Sequence, residues 1–241
     1  MVDSDVWTRE QAQNYDDAED PMFAPALLAA TTAFLAEAAA GGSAVEFAIG
    51  TGRVAIPLHE RGVPVSGIEL SEPMAERLRQ KAPDIPVTIG DMTSTHVAGG
   101  HSLVYLVYNT IGNLVTQDAQ VACFANAASH LRPGGRFVIE NTVPPLRRLP
   151  PGQSAVPFDV TDEHVGFDTL DPVTQRATSH HLTRDGATFR YSPHHFRYVW
   201  PSELDLMARL AGLEPEGRFA DWERTPFTAE SPSHVSVWRK P

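Results

Sequence analysis

Between Val45 and Ala55 the chain reads VEFAIGTGRVA, an apolar run that feeds a GxGxxA turn built on Gly50, Gly52 and Ala55. Glycines at that spacing let backbone turn tightly from strand to helix and bring N–H groups against a ligand, which is nucleotide-binding chemistry. Glu46 precedes Gly50 by four residues, where a carboxylate repels a pyrophosphate and favours a cation; Arg53 is the nearby basic residue. Glu69 ends the next apolar run, 17 residues after Gly52, as an acceptor for two ribose hydroxyls. Asp91 ends the third run. Three acids converging on one sheet edge suit a cationic nucleoside.

A second group of residues faces the same edge from later in the chain. Asn109, Thr110 and Asn113 directly follow the fourth apolar run, with Tyr108 at the junction, and are the leading substrate-side residues; capping of the next helix is the competing reading. His180-His181 and His194-His195 are adjacent pairs on strand-like runs. Neighbours on a strand point to opposite faces, so neither pair forms a chelate by itself, and no metal is expected. The apolar company of Leu182, Phe189, Phe196 and Tyr198 puts His180 and His194 on one apolar surface, which makes them the candidate bases and Tyr198 a substrate-side candidate. Trp7 is assigned to a lid and Trp200 to the core.

These residues need a parallel sheet to bring them together. Phe23 to Ala40 has helical spacing and stops at Gly41-Gly42. Strands are then predicted over 44–49, 63–70, 86–91, 102–108 and 135–141, and helices over 53–61, 71–81 and 117–131, with Ser71 capping the second of these. Strands alternating with helices imply a Rossmann-like, mostly parallel α/β sheet covered on both faces. From Val143 five prolines interrupt the pattern, and short strand-like runs follow, an inserted antiparallel piece. If Asp185-Gly186 is a two-residue turn, Leu182 faces Phe189, His180 faces Tyr191, and His181 shares the other surface with Arg190. HHFRYVW reads as a further strand. A helix over 201–211 and terminal strands near 216–222 and 234–239 complete the sheet, the last antiparallel. The layout is one domain: arm 1–22, core 23–142, insertion 143–200 and C-terminal part 201–241.

Composition narrows the partners. The 241 residues carry a formal net charge of -11, which opposes binding to nucleic acid. The start has no basic region followed by an apolar run, and no uncharged apolar stretch reaches membrane-spanning length, so neither a secretory signal nor a membrane partner is expected. Cys123 is the single cysteine, and no intramolecular disulfide is possible; a cytoplasmic protein, monomer or homodimer, with a small organic substrate is the default.

In order and spacing, VEFAIGTGR, GIEL, IGDM and LRPGGRFVIE resemble the class I S-adenosylmethionine (SAM)-dependent methyltransferases, over roughly Tyr15 to Asn141. The resemblance implies SAM as cofactor and S-adenosylhomocysteine (SAH) as product. It implies that Glu46, Ala48, Gly50, Thr51, Gly52 and Arg53 form the methionine-side loop, Glu69 the ribose clamp, and Asp91 and Met92 the adenine contact. Leu70 and Met74 would line the adenine pocket, Tyr108 would also contact the cofactor, and Tyr15 would close over it unless it only packs the arm. Ala48 departs from the glycine usual there. The Asn14-Tyr15-Asp16 segment and the inserted strands look like small-molecule methyltransferases of glycine and amino-sugar type. The expected reaction is in-line methyl transfer governed by alignment, onto an amine of a specialised metabolite, with oxygen or carbon as the other acceptors. A nicotinamide-dependent oxidoreductase and a non-catalytic SAM-binding protein are the competing readings.

Overall fold

The computed structural model describes residues 7–16 and 20–241. In chain order its elements begin with α1 (Arg9–Asn14), α2 (Pro25–Ala39), β1 (Ala44–Phe47), α3 (Ala55–Glu60), β2 (Val65–Glu69), α4 (Glu72–Lys81), β3 (Val87–Ile89) and β4 (His101–Leu106). They continue with α5 (Gln117–His130), β5 (Leu131–Thr142), β6 (Ala155–Val160), β7 (His164–Leu170), β8 (Arg176–Asp185), β9 (Thr188–Arg197), α6 (Pro201–Leu210), β10 (Glu214–Phe219) and β11 (Ser233–Arg239). Seven strands form the main sheet in the order β10-β11-β5-β4-β1-β2-β3, in which β11 alone runs antiparallel to its neighbours. The expected fold class is the observed one.

Every residue of β1 and β4 is buried, as interior parallel strands require. One apolar layer packs α2, α3 and α4 on the sheet through Phe34, Leu35, Leu58 and Leu78. The other packs α5 and α6 through Cys123, Phe124, Leu204 and Met207, around Phe137 and Trp238. Cys123 is a buried core residue whose burial pushes its thiol pKa up. Among the described residues no helix is long and apolar enough to cross a membrane.

The remaining strands form an antiparallel sheet in the order β6-β7-β8-β9. Here the sequence expectations need three corrections. Asp185 pairs with Thr188, so the turn is Gly186-Ala187, and Leu182 faces Tyr191 while His180 faces Pro193. The reason is backbone sign: Gly186 takes φ +61° at the first turn position, whereas an Asp-Gly turn of the expected kind needs positive φ at both residues, which Asp185 lacks. HHFR is not a further strand but the second half of the unbroken β9. Strict alternation along β9 therefore puts His194 on the face of Ser179 and His181, opposite His180.

Candidate functional site

A cavity of about 1880 Å³ opens between the C-terminal edge of the main sheet, the N-terminal arm and one face of the second sheet. On the main-sheet side the turn after β1 is wound through positive φ at Ala48, Gly50 and Gly52. At Gly52 a Cβ would lie 2.5 Å from Leu78 Cδ1, so glycine is required there for packing as well as for φ +86°. Ala48 accepts φ +52° despite its methyl group, in a region that costs an L-residue about 1 kcal/mol.

Glu69, at the end of β2, lines the cavity with both carboxylate oxygens anchored. Gly50 N–H donates to Oε2 at 2.8 Å and Ser71 N–H to Oε1 at 2.7 Å. Burial raises its pKa, and these backbone bonds work against that rise. Leu70, Met74 and Met92 add an apolar slot beside it, and Asp91, whose Oδ1 accepts from Thr93 N–H, stands at its rim. A carboxylate fixed for hydroxyls next to an apolar slot is the donor set a nucleoside needs, so these residues fit the cofactor expected from the sequence.

Glu46 is placed differently from expectation. It does not line the cavity; it is 3% exposed, and Tyr105 O–H donates to its Oε2 at 2.8 Å. Burial lifts its pKa to about 8, which disfavours the anionic charge assumed for it. Thr51, Gly52 and Arg53 also lie off the cavity wall. Arg53 stacks its guanidinium on the Tyr108 ring at 5.2 Å and donates to Met22 O.

The arm is held onto this edge by polar contacts that the sequence does not advertise. Asp16 accepts from Thr51 Oγ1 at 2.5 Å and pairs with Lys81 at 2.8 Å and Arg77 at 3.3 Å. Burial alone would raise the Asp16 pKa, but the bonds from Lys81, Thr51 and Arg77 hold it below the usual range. Ser71 caps α4 and donates to Trp7 O at 2.7 Å. Tyr15 sits between the rings of Trp7 and Phe23, and Trp7 reaches across to stack with His194 at 6.3 Å. The arm thus touches both halves of the cavity wall.

After β4 the chain turns through positive φ at Tyr108 and Asn109. Glu140 holds this turn by accepting from Tyr108 N–H and Trp222 Nε1–H, while Asn109 Oδ1 accepts from Thr142 N–H. Tyr108, Asn109, Thr110 and Asn113 all line the cavity, as do Tyr198 and His194. His180 does not: it stacks on Phe167 and Tyr191 on the other face, and His181 takes its place on the wall. Trp200 is 37% exposed and lines the cavity, so it is not a core residue. Among the described residues no group of three or more His, Cys, Asp or Glu side chains could hold a metal ion.

Asp16, Gln120, Glu140, Asp168 and His181 were missing from the sequence-based set. Asp16 stood in the Asn14-Tyr15-Asp16 segment without a role of its own, and His181 was one of an adjacent pair whose faces depend on register. Gln120 Nε2 donates to both Ile111 O and Arg197 O, tying the loop after β4 to the end of β9, and nothing local in α5 marks it.

Comparison with known proteins adds to this geometry. A family model described as a methyltransferase domain matches residues 44–135. The solved CcbJ methyltransferase from Streptomyces caelestis is 37% identical, covers 95% of each chain and superposes with a TM-score of 0.83. A cypemycin N-terminal methyltransferase from Streptomyces sp is 26% identical over 79% of this chain and 80% of its own. A dTDP-3-amino-3,4,6-trideoxy-alpha-D-glucopyranose N,N-dimethyltransferase from Streptomyces venezuelae is 33% identical over 41% of each chain.

Proposed function

The chain belongs to the class I SAM-dependent methyltransferases, and we propose that the atom it methylates is an amine nitrogen on a specialised small molecule. The observation that carries this reading is the cavity lining, where Trp7, Phe158, Phe196 and Trp200 and the carboxyl of Asp168 line the same space as the nucleoside slot. Aromatic faces and a carboxylate attract an ammonium group, and the same apolar surroundings favour the neutral amine that must attack. One relative is named an N,N-dimethyltransferase of an amino sugar and another an N-terminal methyltransferase, which supports the same atom here.

In this reading Glu69 holds the ribose hydroxyls, Asp91, Met92, Leu70 and Met74 hold the adenine, and the loop around Gly50 with Tyr15 holds the methionine end. SAM, when bound, supplies a methyl group made electrophilic by the sulfonium. Tyr108, Asn109, Thr110, Asn113, Tyr198 and Trp7 orient the acceptor, so that catalysis is chiefly alignment and exclusion of water.

The test is to incubate the protein with SAM and a panel of amines, amino sugars, alcohols and phenols, locating each new methyl by mass spectrometry and NMR. N-methylated products, absent with Gly50→Arg, are expected. Methylation solely on oxygen or carbon would overturn the amine assignment while leaving the family intact.

A further inference from the structure

The cavity-facing surface of the second sheet holds a line of hydrogen-bonding side chains that cofactor binding does not use. Ser179 Oγ lies 3.1 Å from His181 Nε2, His181 Nδ1 lies 3.0 Å from His164 Nε2, and His164 Nδ1 lies 2.6 Å from Asp159 Oδ2. Ser179 and His181 line the cavity, His164 and Asp159 lie behind them, and the Asp159 side chain is 41% exposed. The line therefore runs from the acceptor side of the cavity to solvent.

Its polarity follows from what each group can do. A carboxylate only accepts, so the neutral form of His164 carries its proton on Nδ1 and its lone pair on Nε2. His181 must then donate from Nδ1, which leaves the lone pair of its Nε2 toward Ser179 and the cavity. Asp168 pairs with Ser179 across β7 and β8 and competes for the single hydroxyl proton. Whichever acceptor that proton serves, the Nε2 lone pair remains. Burial lowers the His181 pKa, and the neighbouring His164, His194 and His180 lower it further, which favours the neutral ring. The groups that face it are Ser179, Asp168 and His164 from its own sheet, His194 edge-on from β9, and Arg190 further along the same face.

The packing around this line is specific. Phe158 sits at the bulge of β6 and its ring covers His181 at 5.4 Å and His164 at 6.3 Å. Gly166, the residue paired with His181, makes room for it: a Cβ there would fall 2.2 Å from Phe158 Cε2 and 2.9 Å from His164 Cε1.

We propose that His181 accepts the proton the acceptor amine must lose before attack, with His164 and Asp159 as positioning residues that hold its tautomer and conduct the proton to solvent. The inference rests on the amine reading above. One N–H proton of the substrate ammonium passes to His181 Nε2, directly or across Ser179 Oγ. His181 releases its Nδ1 proton to His164 Nε2, and His164 its own Nδ1 proton to Asp159 and water. The freed nitrogen lone pair forms the N–C bond as the C–S bond breaks with its electron pair on sulfur, and the product leaves as the methylated ammonium.

Two measurements test it. Nitrogen NMR of the full-length protein without any acceptor should show, near pH 7, His181 protonated at Nδ1 and bare at Nε2, with Asp159→Asn disturbing the tautomers of both His164 and His181. A proton on His181 Nε2, or tautomers indifferent to Asp159→Asn, would overturn the relay whatever the acceptor proves to be. The second uses the amine that turns over in the panel. His181→Ala should lower kcat/KM about 100-fold below the amine's pKa, with the gap closing above it, where the amine is already neutral, and with added imidazole restoring rate. His181→Gln guards against a folding defect and should behave alike without rescue. A pH-independent loss with no rescue, or the closing gap appearing in Asp168→Asn instead, would refute the assignment. A panel yielding only O- or C-methylated products would refute the amine reading, and the NMR result would still decide the relay.

Discussion

At the residue scale the two glutamates of the cofactor half divide by environment. Glu69 is on the cavity wall with both oxygens fixed by backbone N–H groups, whereas Glu46 is sealed beneath it against Tyr105. Glu69→Gln replaces one acceptor oxygen by an NH2 that must face a backbone donor and removes the charge from every remaining bond. Charge-assisted bonds of this kind are worth about 1.5–3 kcal/mol, so SAH affinity measured by calorimetry should weaken roughly 10- to 100-fold. Unchanged affinity would remove Glu69 from the cofactor. The expectation that Glu46 offers negative charge meets a burial that raises its pKa, because spacing gives the position of a carboxyl but not its burial, and burial disfavours the ionised form.

At the element scale the second sheet must be held at a fixed angle to the main one, and a buried polar joint does this. Arg197, at the end of β9 and 4% exposed, donates to Glu203 at 2.7 Å, to Gln175 at 3.0 Å and to Gln120, drawing β9, α5 and α6 to one point. Burial alone would raise the Glu203 pKa, but the bonds from Gln175, Arg197 and Gln117 bring it below the usual range. Its contribution is therefore present above the ordinary carboxylate pKa and is lost as pH falls. Glu203→Ala strands the Arg197 charge and should cost about 3 kcal/mol or more of unfolding free energy in urea, with the KM for acceptor rising more than that for SAM. A change within the error of the melt would mean that the sheet is held by its apolar contacts alone.

At the scale of the whole molecule two buried groups titrate against each other. His234 is fully buried with Nε2 unpartnered, and burial, then Arg218, lowers its pKa from the ordinary 6.5 to about 4. The unfolded chain binds this proton more readily than the fold, so stability falls as pH drops from 6.5 toward 4, by about 3 kcal/mol for a shift of that size. Glu46 has the opposite sign: its pKa in the fold, about 8, stands above its ordinary 4.5. Its contribution is complete below 4.5 and is lost as pH rises through 8. Thermal melts of Glu46→Gln and the parent chain should therefore diverge from pH 5 to pH 9, with the variant gaining at the alkaline end. Parallel melts would show that Glu46 ionises normally.

The sequence by itself determined the order of strands and helices in the main sheet, the positive-φ glycine turn and the placing of Glu69 and Asp91 along one sheet edge. Those features depend on local spacing, on steric limits at single residues and on the two-residue period of a strand. The C-terminal end of β4 and the start of α3 moved inward because Tyr108 and Gly52 take conformations that end or delay an element. Only the tertiary structure decided that His181, not His180, shares the cavity wall with His194, that Trp200 is exposed there, that Gln120 and Arg197 lock the two sheets, and that Glu46 is buried with its pKa raised. Each depends on partners distant in the chain: the face of His194 follows from β9 running unbroken from the hairpin turn and pairing along its length with β8, and burial, which shifts a pKa, is a property of the neighbours that pack around a group.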